Sequence, residues 1–368
     1  MIKALAQEFR AIFSNFAVLF IIIGGPLFYA FLYPLPYKND IVTHQKIALV
    51  NKDQSFLSYK LTQLLEAPQE ISIAYFPSSL QEAKKLLEEE KVYGIVFIPE
   101  FFEKHVYTGV PASVELYANA NYFLIYGAIA QATLSTIQDL SHKIKIDRER
   151  FLTNQTKEHE LFSLQTIPLY NYSLGYLNYA LAHVLLFILH QTLLIGTGIL
   201  TTTTPKCFPN LLESLSFVLV RCFCFSFIYL FLVLLYLGVL FTYYGIHTHA
   251  NPLALLIFAM IFIFSTASCG VLLGTFLSKP VQATQIVLLS SLPLIFMMGF
   301  IWPTELMPSF LQIPLQAIPA THALSGMVML NQMGASLNEV IKHIGALMAI
   351  ALVALSWSAW RLRGIKHV

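Results

Sequence analysis

Long apolar stretches constrain the fold of this sequence more than any other feature. A helix needs about 17–25 apolar residues to cross the hydrocarbon core of a bilayer. Over the whole chain of 368 residues, 57% are hydrophobic and 11% are charged, which is far from the composition of soluble domains. The sequence therefore predicts an α-helical polytopic membrane protein. Six transmembrane helices are expected, at Ala11–Tyr33, Leu174–Leu200, Leu215–Tyr243, Pro252–Leu277, Ile286–Trp302 and Ile344–Trp360.

Lysine and arginine near the span ends predict the orientation, because cytoplasmic segments are enriched in these residues. The connections 243–251 and 303–343 hold only Lys342. Both termini are therefore expected to be cytoplasmic, in the inner membrane of a bacterium, and the segment 34–171 to be external. Arg221, just inside the third span, is expected to extend to the lipid headgroups. The segments on the predicted cytoplasmic side contain Lys3, Arg10, Lys206, Arg221, Lys279, Arg361, Arg363 and Lys366.

Residues 1–33 are interpreted as an interfacial helix followed by an uncleaved first span. The apolar run is long for a signal peptide, and no A-x-A-like cleavage site follows it. Before the span, an apolar face includes Phe9, whereas Arg10 lies on a polar face, a pattern typical of a helix in the cytoplasmic leaflet. The alternative is that this segment is the polar end of the first span.

Residues 34–171 change to alternating strand and helix patterns, which predict an external α/β domain with a partly parallel sheet. Ser55 is expected to cap a helix, and an amphipathic helix should begin after Ser79. From Tyr122 to about Ser163 the chain is predicted to be helical. Its HKIKIDRER run is interpreted as a solvated face, with a headgroup or partner contact as the alternative. Strands are predicted at Lys46–Asn51, Glu70–Phe76, Val92–Pro99 and Ala112–Ala118.

Motifs for covalent chemistry or cofactor binding are absent from the sequence. No Gly-Lys dipeptide occurs, so the chain has no P-loop, and no zinc-spaced Cys/His cluster is present. His247 and His249 are interpreted as part of a polar loop, and His183 and His190 as hydrogen-bonded to neighbouring helices. The four cysteines lie in or beside the spans and are expected to be small apolar residues. No enzymatic activity, metal, cofactor or nucleic-acid partner is expected.

A segment after the fifth span is apolar but is interrupted by four prolines, which no ordinary spanning helix tolerates at this spacing. The fifth crossing is expected to end near Trp302. Residues 303–324 are then predicted to form a re-entrant hairpin with a helical piece such as Glu305–Gln312, with Glu305 at the external boundary. Broken backbone at membrane depth requires protein or water to satisfy it. The alternative is a proline-rich external loop.

Three stretches resemble the permease subunits of ATP-binding-cassette exporters of type 2, in the subgroup with a large external domain. They are IALVNKDQSFLSYKL at Ile47–Leu61, with Asn51 in place of an Asp, the stretch Ser79–Gly109, and GFIWPTELMPSFLQ with its downstream Pro and His. The likeness covers nearly the whole chain. The gate residues that it implies are Gly299, Phe300, Pro303, Glu305, Met307, Pro308, Leu311, Gln312, Pro319 and His322.

The resemblance implies a permease that moves substrate outward, with ATP hydrolysed on a separate subunit and a second permease, identical or paralogous, in a dimer. Residues 172–368 then form the five-helix transmembrane domain. A periplasmic adaptor is a further candidate partner. The loop after the second span lacks the charged stretch of relatives, but PNLLES could form the short coupling helix. The alternative functions are a non-transport scaffold or receptor of the same architecture and an ion-coupled secondary transporter. Candidate coupling residues are Lys206, Pro209, Asn210 and Glu213.

Overall fold

The computed structural model describes residues 2–37, 42–153, 170, 177–204, 208–299 and 301–363. The chain divides into two compact units. One consists of Met1–Lys38 and Pro168–Val368 and is called the membrane unit; the other, Asn39–Ile167, is called the α/β unit.

Six helices of the described membrane unit are long and apolar enough to cross a bilayer, which confirms the six predicted spans as candidate spanning helices. Span 5 begins six residues earlier than predicted, because Pro280 occupies the first helical turn, where a missing N–H costs nothing. Gln282 caps it by accepting hydrogen bonds from the backbone N–H groups of Ser278 and Lys279, each at 3.0 Å. Spans 1 to 6 are Phe16–Tyr37, Ala182–Thr202, Leu211–Tyr243, Pro252–Phe276, Pro280–Met297 and Ile341–Leu362.

A separate N-terminal helix, Ile2–Ser14, precedes span 1. It ends at Asn15, which has extended backbone and whose side chain accepts a hydrogen bond of 3.2 Å from Val18 N–H. Asn15 therefore caps a new helix, as Asn commonly does. The predicted start of the first crossing at Ala11 is wrong by five residues, because Ala11 to Ser14 belong to the N-terminal helix.

Spans 2 and 4 pack against each other in parallel through small residues. A Cβ atom on Gly270 would collide with Thr197, and one on Gly274 would collide with Thr201, so residue numbers rise together along both helices. Thr202 Oγ1 also lies 3.3 Å from the carbonyl oxygen of Gly274. Small residues permit this close approach of backbones, as in other membrane helix pairs.

A bent helix pair lies between spans 5 and 6 in sequence: Ser309–Leu315 and Pro319–Asn331, with an angle of 85° between them. The predicted helical piece Glu305–Gln312 is wrong, because a 3-10 turn, Thr304–Leu306, is separated from the first helix at Met307. Met307 is extended (φ −85°, ψ 148°), since the residue before a proline is disfavoured in helical conformation.

The α/β unit contains a four-stranded sheet of order β2-β1-β3-β4, and its mixed character confirms the predicted partly parallel sheet. β1 pairs in parallel with β2 and β3, whereas β4 is antiparallel to β3. Buried side chains cover both faces of this sheet, which is why β1 is almost continuously apolar. The strands are β1 Gln45–Asn51, β2 Ile71–Tyr75, β3 Gly94–Ile98 and β4 Glu115–Ala118.

Four helices accompany the sheet. Ser55 caps the first of them as predicted, accepting a hydrogen bond of 3.2 Å from Ser58 N–H. The first turns of the helices Phe56–Leu65 and Phe102–Thr108 are hydrogen-bonded to each other. The Glu103 carboxylate accepts from Leu57 N–H, and the Glu103 backbone N–H donates to the Asp53 carboxylate, both at 3.1 Å. The predicted extension of the last helix to Ser163 lies outside the described residues. The helices are Phe56–Leu65, Leu80–Glu88, Phe102–Thr108 and Phe123–Thr153.

Candidate functional site

One end of the membrane unit brings together the N-terminal helix, the last residues of spans 2 and 6 and the first residues of span 3. Ser214 Oγ donates to the carbonyl oxygen of Ala359 at 2.7 Å, and Phe208 N–H donates to that of Leu362 at 3.2 Å. Spans 4 and 6 end together here, because the guanidinium of Arg361 lies 4.0 Å from the ring centroid of Phe276. We call this the basic end; its described basic residues are Lys3, Arg10, Arg221, Lys279, Arg361 and Arg363.

Arg221 lies buried at the basic end, with 1% of its surface exposed. Its Nε is 2.5 Å from Glu8 Oε1 on the N-terminal helix. Its two terminal nitrogens donate to Thr201 Oγ1 at 3.1 Å and Thr204 Oγ1 at 3.0 Å at the end of span 2. The prediction that Arg221 extends to the headgroups is wrong, because a carboxylate and two hydroxyls inside the protein satisfy the guanidinium.

The two threonines are suited to this contact because each hydroxyl is already oriented. Thr201 Oγ1 donates to Thr197 O and Thr204 Oγ1 donates to Leu200 O, both at 2.7 Å. Each hydroxyl oxygen therefore presents its lone pairs to the arginine. The guanidinium also lies 4.5 Å from the ring centroid of Phe217, within cation–π range.

Of the predicted interfacial residues, Phe9 faces the protein and Arg10 is exposed. The ring of Phe9 packs edge-to-face on Phe227 of span 3, with centroids 6.0 Å apart. The functional residue that sequence reasoning missed here is Glu8, which is 7% exposed. The available signal was a single carboxylate in an otherwise apolar or basic segment.

The predicted coupling residues lie before and within the first turn of span 3, except Lys206, which falls outside the described residues. Pro209 and Asn210 are exposed, and Asn210 Nδ2 lies 3.4 Å from Glu213 Oε1. The predicted separate coupling helix at PNLLES is wrong, because the helix that begins at Leu211 continues without a break into span 3. No proline or glycine follows Ser214 in this helix before Gly238, so nothing ends it early.

The predicted gate residues extend from Gly299 through the bent helix pair; Phe300 falls outside the described residues. Gly299 has a φ of +92°, a conformation that favours glycine. Pro303, Glu305 and Pro308 are exposed, whereas Met307 is buried. Leu311 and Gln312 are half-buried, and Pro319 is buried.

Side chains within this segment form hydrogen bonds across its two breaks, at Met307 and at the bend between the two helices. Gln312 Nε2 donates to Met307 O at 2.7 Å, which satisfies a carbonyl beside the break. Across the 85° bend, Thr321 Oγ1 donates to Leu315 O at 2.8 Å, and His322 Nε2 lies 3.0 Å from Gln316 O. The carbonyl groups of Met307, Leu315 and Gln316, beside the two breaks, are thus satisfied by side chains of the same segment.

Buried polar residues inside the bundle differ in part from the expectation. His190 is fully buried between the rings of Phe187 and Phe262, and neither ring nitrogen has a hydrogen-bond partner among the described residues. The predicted interhelical hydrogen bond of His190 is therefore wrong. Of the cysteines, which are expected to be buried, Cys222 and Cys224 are buried, whereas Cys269 is only partly buried. Among the described residues no group of three or more metal-ligating side chains occurs.

Six candidate spanning helices, a bent helix pair and an inserted mixed-sheet unit define a multi-pass membrane protein. The family model described as ABC-2 family transporter protein matches residues 16–360, nearly the whole chain. The chain therefore belongs to the ABC-2 transporter family, and the resemblance stated from its motifs is confirmed.

A search of curated proteins found no match. Among solved structures, the chain is similar to the crystal structure of a domain assigned to an ABC type-2 transporter from Thermotoga maritima MSB8, with 26% sequence identity. The match covers 32% of this chain and 77% of that domain, with a TM-score of 0.21.

Proposed function

We propose that this chain is the permease subunit of an ATP-binding-cassette exporter that moves its substrate outward across the bacterial inner membrane. The observation that carries the proposal is membership of the ABC-2 transporter family over residues 16–360. The sequence itself contains no P-loop, so the energy source is a separate ATPase subunit.

The basic end supports the cytoplasmic placement of both termini and of the ATPase contact. Lys and Arg concentrate on the cytoplasmic side of membrane proteins, and at this end Arg221 binds both Glu8 of the N-terminal helix and Thr204, just after span 2. The ATPase docks on the exposed residues Pro209, Asn210 and Glu213 beside that connection. The bent helix pair then lies at the external mouth as a re-entrant gate, and the α/β unit is external.

Span 5 supports a second permease subunit. Of its residues, only Ala283 and Val287 are buried in the described chain. Leu288, Leu289 and Leu292 are 60%, 80% and 67% exposed. A helix this poorly covered suits a partner helix from a second permease, and the substrate path lies between the two subunits.

The α/β unit carries an exposed aromatic surface suited to a periplasmic adaptor. Phe56 and Phe101 are 75% and 58% exposed, and they lie at the two helix starts joined through Glu103. Phe101 also has a φ of +62°, which is strained for a bulky residue. Exposed aromatic clusters mark protein interaction sites. Phe56→Ala with Phe101→Ala should release a co-purifying adaptor while the membrane assembly stays intact.

The decisive experiment is ATP-dependent transport. The permease is co-expressed with a P-loop ATPase encoded beside its gene, purified and incorporated into inverted vesicles, and uptake of candidate amphiphilic substrates is measured with and without ATP. We expect the ATPase to co-purify and uptake to require ATP hydrolysis. A failure to co-purify, together with uptake that ignores ATP, would exclude the exporter.

A further inference from the structure

The function proposed above assigns no role to the buried ion pair between Glu8 and Arg221. Arg221 belongs to span 3 and its carboxylate partner to the N-terminal helix; of its hydroxyl partners, Thr201 lies in the last turn of span 2 and Thr204 just after it. Span 2 ends at Thr202 and span 3 begins at Leu211, so Thr204 belongs to the connection between them. One guanidinium thus holds both sides of that connection and the N-terminal helix together.

The contact is structurally demanding. Glu8 and Arg221 are both more than nine-tenths buried, and the arginine uses three separate nitrogens for three acceptors, one on the N-terminal helix, one in span 2 and one just after its end. Its planar fork fits several acceptors at fixed angles, which a lysine ammonium cannot reproduce. Such a pair contributes weakly to net stability but can specify one arrangement of the elements around it. A role in positioning therefore explains the pair better than a role in stability.

We infer that Arg221 is a positioning residue that makes the N-terminal helix and the span 2–span 3 connection move as one body when the ATPase closes. The inference rests on the proposed function and deepens it. A displacement of the connection moves Thr204, which moves the guanidinium, and the ion pair transfers the movement to Glu8. Without the pair, the connection moves and the N-terminal helix stays behind.

The first test separates coupling from folding. In Glu8→Gln/Arg221→Met both charges are removed together, so no uncompensated charge remains buried and the fold is retained. The reconstituted complex should hydrolyse ATP at the wild-type rate but transport about tenfold less substrate per ATP, a change within the range of coupling mutations. Arg221→Lys should show the same direction. Transport per ATP equal to wild type in the double variant would overturn the inference.

Arg361→Gln is the matched control. Arg361 is also an arginine at the basic end and also stacks on a phenylalanine, Phe276. Its terminal nitrogen approaches a backbone oxygen, that of Thr275, at 3.4 Å rather than a carboxylate. Its replacement should leave transport per ATP unchanged. An equal loss in both variants would contradict a specific role for Arg221.

A chemical rescue tests the mechanical role itself. Cys224 Sγ on span 3 lies 3.9 Å from Leu5 O on the N-terminal helix. In Glu8→Gln/Arg221→Met with Leu5→Cys, a short bis-methanethiosulfonate reagent would join these helices again and should restore transport per ATP. If joining them abolishes transport in the chain with Arg221 intact, the two elements must separate and the inference is wrong. The background carries Cys207→Ala, Cys222→Ala and Cys269→Ala.

The two proposals fail differently. If the unmodified complex shows no ATP-dependent transport, the exporter function itself fails. If the unmodified complex transports and Glu8→Gln/Arg221→Met transports equally well per ATP, the exporter function stands and the positioning role of Arg221 is wrong.

Discussion

Gly270 brings spans 2 and 4 into direct contact, and Gly270→Ala tests that packing. An added Cβ would lie 1.8 Å from Thr197 Oγ1, 3.0 Å from Leu194 O and 3.1 Å from Leu194 Cα. The threonine hydroxyl can turn away only by giving up its 2.7 Å hydrogen bond to Leu193 O. The backbone of Leu194 cannot turn away at all, so the two helices must separate.

The magnitude follows from two opposing contributions. Forcing an extra methyl group into a packed interior costs about 1–3 kcal/mol. Replacing glycine by alanine inside a helix stabilises the helix by about 1 kcal/mol through helix propensity. Gly345→Ala in span 6 is the matched control, because nothing lies within 4 Å of a Cβ there. The two variants share the helix-propensity gain, so their free energies of unfolding should differ by the packing cost, about 1–3 kcal/mol.

The assay is reversible unfolding of the purified protein in mixed micelles by increasing sodium dodecyl sulfate, followed by tryptophan fluorescence. Gly270→Ala should unfold at a lower detergent fraction than Gly345→Ala. Adding Thr197→Ala should recover part of the loss, because the hydroxyl is removed while the backbone of Leu194 remains. Equal midpoints for the two glycine variants would refute the close parallel packing of spans 2 and 4.

Three further predictions concern charged side chains. A cysteine introduced by Glu305→Cys should react with a membrane-impermeant maleimide in cells stripped of their outer membrane; labelling only after permeabilisation to the cytoplasm would reverse the topology. Glu8→Gln should cost about 3–5 kcal/mol of unfolding free energy, because it leaves Arg221 buried and unpaired; the double variant Glu8→Gln/Arg221→Met should be close to wild type, and equal losses would mean that the pair is exposed. Glu339 accepts hydrogen bonds from the backbone N–H and hydroxyl of Ser336, at 2.6 and 2.9 Å, which lower the pKa of its carboxyl. A lowered folded-state pKa contributes stability above the unfolded-state pKa, and this stability is lost as the pH falls through the folded-state value. Glu339→Gln should therefore reduce the loss of thermal stability below about pH 4.5. An unchanged acid profile would contradict a role for the Ser336–Glu339 hydrogen bonds in stability.

The elements themselves were predictable from the sequence because local patterns determine them. Six apolar stretches of sufficient length became six candidate spanning helices, and the strand predicted at Val92–Pro99 appears as Gly94–Ile98. The Ser55 cap was predictable for the same reason, since the donor and acceptor are three residues apart.

Boundaries were less predictable where a polar or conformational stop lies inside an apolar stretch. Asn15 interrupts a run that reads as continuous, and its capping bond ends one helix and starts another. In span 5, the polar residues Gln282 and Gln285 lower the hydropathy of the first turns, so the apolar pattern begins after the true start of the helix. The helix ends at Met297, shortly before Gly299, which has a positive φ. Hydropathy records apolar content but carries no information on which carbonyl or N–H is satisfied by which side chain.

The Arg221–Glu8 ion pair at the basic end could not be predicted from local sequence patterns. Arg221 and Glu8 are 213 positions apart, and each residue alone suits a membrane boundary, where long charged side chains reach water. Only the contact of the N-terminal helix with span 3 makes the buried arrangement possible, and that contact is formed by side chains such as Phe9 and Phe227, whose apolar character suits lipid equally well. A charged residue near a span end is thus compatible with two interpretations, a membrane boundary or one member of a buried ion pair. The second applies only where an opposite charge lies on an element that can pack against the span. Here a lone carboxylate, Glu8, on an amphipathic helix that packs against span 3 provides that complement.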